Sequence, residues 1–204
     1  MVLEQFTTAP VASVIFILTI ITSLIAFRKT EWLDDYGLVP YDVLAYKQYY
    51  RLITSGFLHG NYVHLAMNML TFYFFAFYLE NLLGHWQFFL LYFGGMLLSD
   101  VATMIKYRSE PNYTSLGASG AISTLVLSVI ICDPGLTLQL FFSIPIPGWL
   151  FAVAYMGYSL IASFKANDGI NHDAHLWGAV AGIALTPMIK PEVVDVLSEF
   201  IAGI

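Results

Sequence analysis

Six apolar runs alternate with polar or mixed stretches along the chain, at residues 10–27, 63–82, 86–105, 117–133, 147–164 and 174–190. At ~1.5 Å per residue in a helix, each covers most of a hydrocarbon layer ~30 Å thick. The pattern predicts six transmembrane helices packed as one bundle. The fourth and sixth runs are the shortest and the richest in Gly, Ala and Ser. Small residues let helix backbones approach closely, which places these two inside the bundle and away from lipid.

The connections differ in kind. Residues 28–62 form a long first connection, aromatic and mixed in polarity, as an interfacial loop would be. Asn81 to His85 is a tight turn. Residues 106–116 and 165–173 are polar and lead into the fourth and sixth runs. Within residues 191–204, the stretch EVVDVLSEFIAGI repeats apolar positions at helical spacing, predicting a short amphipathic surface helix.

Composition supports a multi-pass membrane protein: 58% of residues are hydrophobic and 11% charged, against ~25% charged in soluble domains. The net charge of -6 has no basic cluster, so no nucleic-acid partner is expected. Cys132 is the one cysteine, which excludes an internal disulfide. The N-terminus lacks a basic leader region, and Arg28-Lys29 follow the first run, so residues 10–27 read as a retained span. No internal repeat is visible, which argues against a small inverted-repeat transporter. The whole chain, 1–204, reads as a single all-α domain.

Polar residues inside such spans need partners or a function. Ser119 sits in Gly117-Ala118-Ser119-Gly120 at the start of the fourth run. Free N–H groups at a helix start can hold an oxyanion formed when a serine attacks a carbonyl. The same motif also suits plain helix packing. His175 opens the last run in NHDAHLWGAVAG, beside a strip of Ala174, Gly178 and Gly182. It can serve as the base for a serine, or make a local interfacial hydrogen bond. His64 and Asn68 are four apart on the second run, so they share a face. They can donate toward one oxyanion, or act as interhelical polar glue. Glu80 and Asp100 read as structural, and Asp173 as having no part in a triad. No H-E-x-x-H motif or completed ligand set suggests a metal, although His172 and His175 lie three apart.

Taken in order, these motifs resemble the rhomboid family of intramembrane serine proteases. Tyr50-Arg51 resembles the family's aromatic-Arg pair in the first loop. His59 and His64-x-x-x-Asn68 match its second-helix motif, Gly117-Ala118-Ser119-Gly120 its nucleophile motif, and Ala174-His175 with Gly178 and Gly182 its last-helix motif. The resemblance implies a six-helix rhomboid-like bundle and a catalytic Ser119–His175 dyad. It implies an oxyanion hole from the Ser119 backbone N–H, His64 and Asn68, and no cofactor. It also implies transmembrane protein substrates, a first loop partly in the bilayer, and a lateral gate near the fifth helix and residues 165–173. Many family members carry an aromatic one turn after the serine, stacked on the histidine. Here that position is Ser123, so the expectation is that His175 is either held less rigidly or held by another aromatic such as Trp177 or Tyr155.

The alternative is a non-proteolytic rhomboid-like protein that binds transmembrane segments. The compact chain, without a transit-like extension, is expected in a bacterial plasma membrane, and the resemblance implies both termini inside. The positive-inside rule points the other way, because all basic residues except Lys190 fall on the side of Ser119 and His175.

Overall fold

The computed structural model describes residues 2–140, 143–165 and 169–203. The expectations resting on Met1, Ile204 and the 166–168 part of the loop at 165–173 lie outside the described residues. Eleven α-helices and one hairpin follow in order among the described residues: α1 (Val2–Thr8), α2 (Pro10–Ala26), α3 (Glu31–Tyr36), α4 (Pro40–Ala45), α5 (Arg51–Thr54), α6 (Tyr62–Leu83), α7 (His85–Lys106), α8 (Ser119–Cys132), β1 (Thr137–Leu140), β2 (Ile144–Pro147), α9 (Gly148–Lys165), α10 (His172–Ile189) and α11 (Val193–Ala202). The protein is mostly helical. Helices α6 and α7 are long and apolar enough to cross a bilayer, and α2 and α8 are shorter apolar helices.

Local chemistry sets the helix ends. Pro10 opens α2, where its missing N–H costs nothing. Gly84, at φ 99°, separates α6 from α7, so the turn there is a single residue. The Asn61 side chain accepts from the His64 N–H at 2.8 Å and caps α6. The first connection folds into three short helices, α3 to α5, in place of an irregular loop.

The exterior is apolar. Val14 on α2, Phe74 on α6, Ile105 on α7, and Val153 and Phe164 on α9 are all exposed. The interior holds many hydroxyls, including Thr19, Ser23, Ser99, Thr103, Thr124, Ser128, Ser159 and Thr186. An apolar surface around a partly polar interior is the distribution lipid demands.

Helix α8 is the central element. Every residue from Gly120 to Ile131 is buried, and the helix packs against α6, α7 and α10. Its interface with α10 is a backbone contact. A Cβ added at Gly178 would lie 2.1 Å from the Gly120 carbonyl oxygen. One added at Gly182 would lie 2.5 Å from the Thr124 oxygen. Thr124 Oγ1 donates across the same interface to the Gly178 oxygen at 2.8 Å, and Thr186 Oγ1 to Ser128 Oγ at 2.7 Å.

Glu80 has a specific structural role. It is fully buried and accepts from the N–H groups of Val11 at 3.1 Å and Ala12 at 2.6 Å, capping α2 from another helix. His85 Nδ1 lies 2.7 Å from the same carboxylate. A carboxylate at a helix N-terminus gains from both the free donors and the helix dipole.

The β1–β2 hairpin is the one element among the described residues outside the all-α expectation. Its two strands pair antiparallel between α8 and α9.

Candidate active site

Ser119 is the first residue of α8, and no side chain caps that helix start. The N–H groups of its first turn are therefore left to whatever lies in front of Ser119. Gly117 approaches with φ 113°, a left-handed conformation that a side chain would strain, and its N–H donates to the Ser55 oxygen at 3.0 Å. The His64 ring fills the space beside it, because a Cβ on Gly117 would fall 2.7 Å from His64 Cε1 and 2.8 Å from Nε2. His64 thus sits against the backbone two residues before Ser119.

Asn68 lies one turn below His64, with Nδ2 donating to the His64 oxygen at 3.0 Å. Its second N–H remains for another acceptor. Asn68, Ser119 and His175 line one cavity of about 760 Å³. The structure therefore brings three of the sequence-predicted site residues together and sets the fourth, His64, against Gly117.

His175 lies in the first turn of α10, and that turn is anchored. The Asn171 side chain accepts from the Ala174 N–H at 3.1 Å, and its Nδ2 donates to Thr103 Oγ1 at 2.8 Å and Ser115 Oγ at 3.0 Å. The His175 ring stacks on Tyr155 of α9, with centroids 6.5 Å apart and planes at 22°. Trp177 is 48% exposed, so Tyr155 takes the stacking place. Ser123 Oγ donates to the Ser119 oxygen at 2.8 Å, and its oxygen lies 2.5 Å from the Tyr155 hydroxyl. With the Ser123 proton committed to Ser119, Tyr155 is the donor in that pair. The small side chain of Ser123 thus leaves room for an aromatic supplied by a different helix.

Arg51 fixes the first loop. It is buried, and Nη1 donates to the oxygens of Asp34 and Gly37, both at 2.7 Å. Nε donates to Gln48 Oε1 at 2.5 Å, and Nη2 lies 3.4 Å from Asp42 Oδ2. The next residue after Gly37 pairs with the loop before α8: Leu38 and Ser115 exchange backbone bonds of 3.0 and 2.9 Å. Arg51 is thereby linked to the backbone bridge at Ser115, two residues before Gly117.

His59 lies in the loop before α6, fully buried, with Nδ1 2.9 Å from Ser23 Oγ and its ring 4.9 Å from His64. Burial, with His64 adding, holds its imidazole down at about 3, so it is neutral at ordinary pH. Asp173 is engaged elsewhere, 2.5 Å from Lys106 Nζ. Asp100 Oδ2 is buried without a hydrogen-bond partner among the described residues. No group of three or more metal-ligating side chains exists among the described residues.

Comparison with known proteins follows the same lines. The Rhomboid domain family profile matches residues 46–192. The chain is 34% identical over 149 residues to "RHOMBOID-like protein 12, mitochondrial" of Arabidopsis thaliana, covering 65% of this chain and 44% of that protein. It is 28% identical over 184 residues to "Putative rhomboid protease YdcA" of Bacillus subtilis (strain 168), covering 82% of this chain and 86% of that one. It is 30% identical over 138 residues to "Presenilin-associated rhomboid-like protein, mitochondrial" of Homo sapiens, covering 65% of this chain and 36% of that protein. The chain thus spans under half of two of these relatives and most of the third. With a family match over residues 46–192 that contains Arg51, His64, Asn68, Ser119 and His175, the chain belongs to the rhomboid family of integral membrane proteins.

Proposed function

We propose that the chain is an intramembrane serine endopeptidase of six transmembrane helices, α2, α6, α7, α8, α9 and α10, cutting transmembrane segments of other membrane proteins. The observation that carries this reading is the single cavity lined by Ser119, His175 and Asn68, with Tyr155 stacked on the histidine. The similarity to a bacterial protein over 86% of its length supports a bacterial plasma membrane as its location.

In this reading His175 takes the Ser119 proton as Oγ attacks the substrate carbonyl. The carbonyl oxygen becomes an oxyanion, held by the Ser119 N–H, Asn68 and His64. Each such donor is worth about 3–4 kcal/mol in the transition state. His175 then protonates the leaving amine, and the C–N bond breaks to give an acyl-enzyme. Water adds to the acyl carbon, His175 accepts its proton, and Ser119 leaves with the proton returned to Oγ. Helical peptide bonds are shielded by their own hydrogen bonds, so substrates are expected to carry helix-weakening residues at the cut.

Labelling with a fluorophosphonate tests the dyad directly. Wild type is expected to label at Ser119, and Ser119→Ala and His175→Ala to label at background. Wild-type labelling at background, in protein that melts cooperatively, favours the non-proteolytic reading, in which the cavity binds transmembrane segments without cutting them.

A further inference from the structure

The cavity that begins at Ser119 and His175 extends well beyond them. Ser119, Ile122, Ser123, Val126 and Val129 line it from one face of α8, the face set by spacings of three and four. Ten residues of helix at ~1.5 Å each give this wall a run of about 15 Å. At the far end the wall changes from helix to strand. Thr137, Leu138 and Gln139 of β1 line the same cavity, joined by Ile146 of β2 and by Gln5 of α1.

The polarity of β1 follows from its pairing. Thr137 lies opposite Pro147, Leu138 opposite Ile146, and Gln139 opposite Pro145. Gly148 N donates to the Leu136 oxygen at 2.8 Å, one step beyond the first of these pairs. Opposed residues in an antiparallel ladder alternate between bonding each other and facing away. With 136 and 148 bonded, 138 and 146 are the next bonded pair. Thr137 and Gln139 therefore turn their N–H and C=O groups to the outer edge of β1. Across from them, Pro147 and Pro145 have no N–H, so the outer edge of β2 is closed to strand addition. The outer edge of β1 keeps two donors and two acceptors. Among the described residues no backbone group outside the hairpin bonds to Thr137 or Gln139.

An open strand edge at the end of an apolar groove suits one occupant better than any other. An apolar helix fits the α8 face, and the extended chain leaving that helix can complete the sheet edge. A lipid tail fits the groove but offers no donor or acceptor to the exposed edge at Thr137 and Gln139. We propose that β1 takes the end of a substrate transmembrane segment as an added strand, through Thr137 and Gln139. The segment lies along the α8 face with its scissile bond at Ser119. The added strand then begins about ten residues from that bond, three helical turns along. Placing the scissile bond at Ser119 rests on the protease reading, whereas the binding does not.

The test is the affinity of a fluorescent transmembrane peptide for the full chain in nanodiscs, in a Ser119→Ala background so that cleavage plays no part. Gln139→Pro deletes one outward N–H and leaves the bonds to β2 alone, as Pro145 already does on the facing strand. Gln139→Leu keeps the N–H and removes the side-chain amide. Gln139→Pro is expected to weaken binding about fivefold beyond Gln139→Leu, the effect of one lost hydrogen bond. Ester substitution of the peptide backbone in the predicted strand, with the protein unaltered, is expected to weaken binding similarly, and a peptide truncated before the strand is expected to be insensitive to Gln139→Pro. Equal affinities for intact and ester peptides overturn strand addition and leave a lipid-like or purely apolar groove. Separate cleavage assays with Ser119 intact keep the two readings apart. Silence there with the binding pattern intact removes the protease reading alone, and cleavage with no binding pattern removes this proposal alone.

Discussion

Substituting Gly178 with alanine probes the geometry between the helices that carry Ser119 and His175. The added methyl would sit 2.1 Å from the Gly120 oxygen, 2.9 Å from the Gly120 carbonyl carbon and 3.1 Å from Ser123 Cβ. Two of these three are backbone atoms of α8, which no rotamer change can move aside. Restoring an ordinary contact of 3.4 Å requires α10 to back away from α8 by more than an ångström. Overpacking of this kind costs about 1–3 kcal/mol, and backbone contact puts it at the upper end. The 2.8 Å bond from Thr124 to the Gly178 oxygen is strained or lost with it. A displacement of ~1 Å between nucleophile and base costs about a hundredfold in rate. The assay pairs thermal melting in detergent with the rate of fluorophosphonate labelling. Gly178→Ala is expected to melt several degrees lower and to label about a hundredfold more slowly. A variant that labels and melts as wild type would falsify the claim that direct backbone contact at Gly178 sets the Ser119–His175 geometry.

Four further outcomes are expected. Tyr155→Ala lowers kcat by about tenfold and leaves substrate affinity near wild type, Tyr155→Phe keeps most activity through the ring, and Ser123→Tyr added to Tyr155→Ala restores part of the loss; steady-state kinetics with a transmembrane substrate check this, and equal kcat for wild type and Tyr155→Ala would remove the stacking role. Glu80→Ala strands two α2 N–H groups and His85, and is expected to cost about 3 kcal/mol, read as loss of cooperative melting at lower temperature, whereas Glu80→Gln keeps one acceptor and loses less. Arg51→Lys cannot reach Gln48 and the two carbonyls together, and is expected to destabilise the first loop, seen as faster proteolysis of residues 28–62. His59 stays neutral down to about pH 3 while the unfolded chain takes its proton near 6.5, so its contribution to stability is full above pH 6.5 and shrinks as pH falls toward 3; denaturant titrations of His59→Gln are expected to show a shallower acid loss.

The helices were the most legible part of the sequence because apolar runs in a bilayer protein must be helical to satisfy their own backbones. The runs at 63–82 and 86–105 lie inside α6 and α7, and the run at 117–133 contains α8. The resemblance to rhomboid proteases, carried by short motifs on separate runs, is matched by the family comparison. Long-range partners left no such trace. Glu80 bonds residues 69 and 68 positions away, and nothing local marks a glutamate near a turn as the cap of another helix. Tyr155, 32 residues from Ser123, is one of two aromatics offered for the histidine in the sequence, and only the packing of α9 against the site decides it over Trp177. The hairpin was missed for a different reason. Pro145 and Pro147 argue against a strand, and only the register shows that both occupy positions where no N–H is needed.

The most direct test of the central claim is cleavage of a model transmembrane substrate in proteoliposomes by wild type, Ser119→Ala and His175→Ala. The predicted result is cleavage by wild type, at a site the substrate's helix-weakening residues move, and none by either variant. Cleavage retained by Ser119→Ala would contradict the nucleophile assignment, and with it the reading of Gly117-Ala118-Ser119-Gly120 as the opening of an active site.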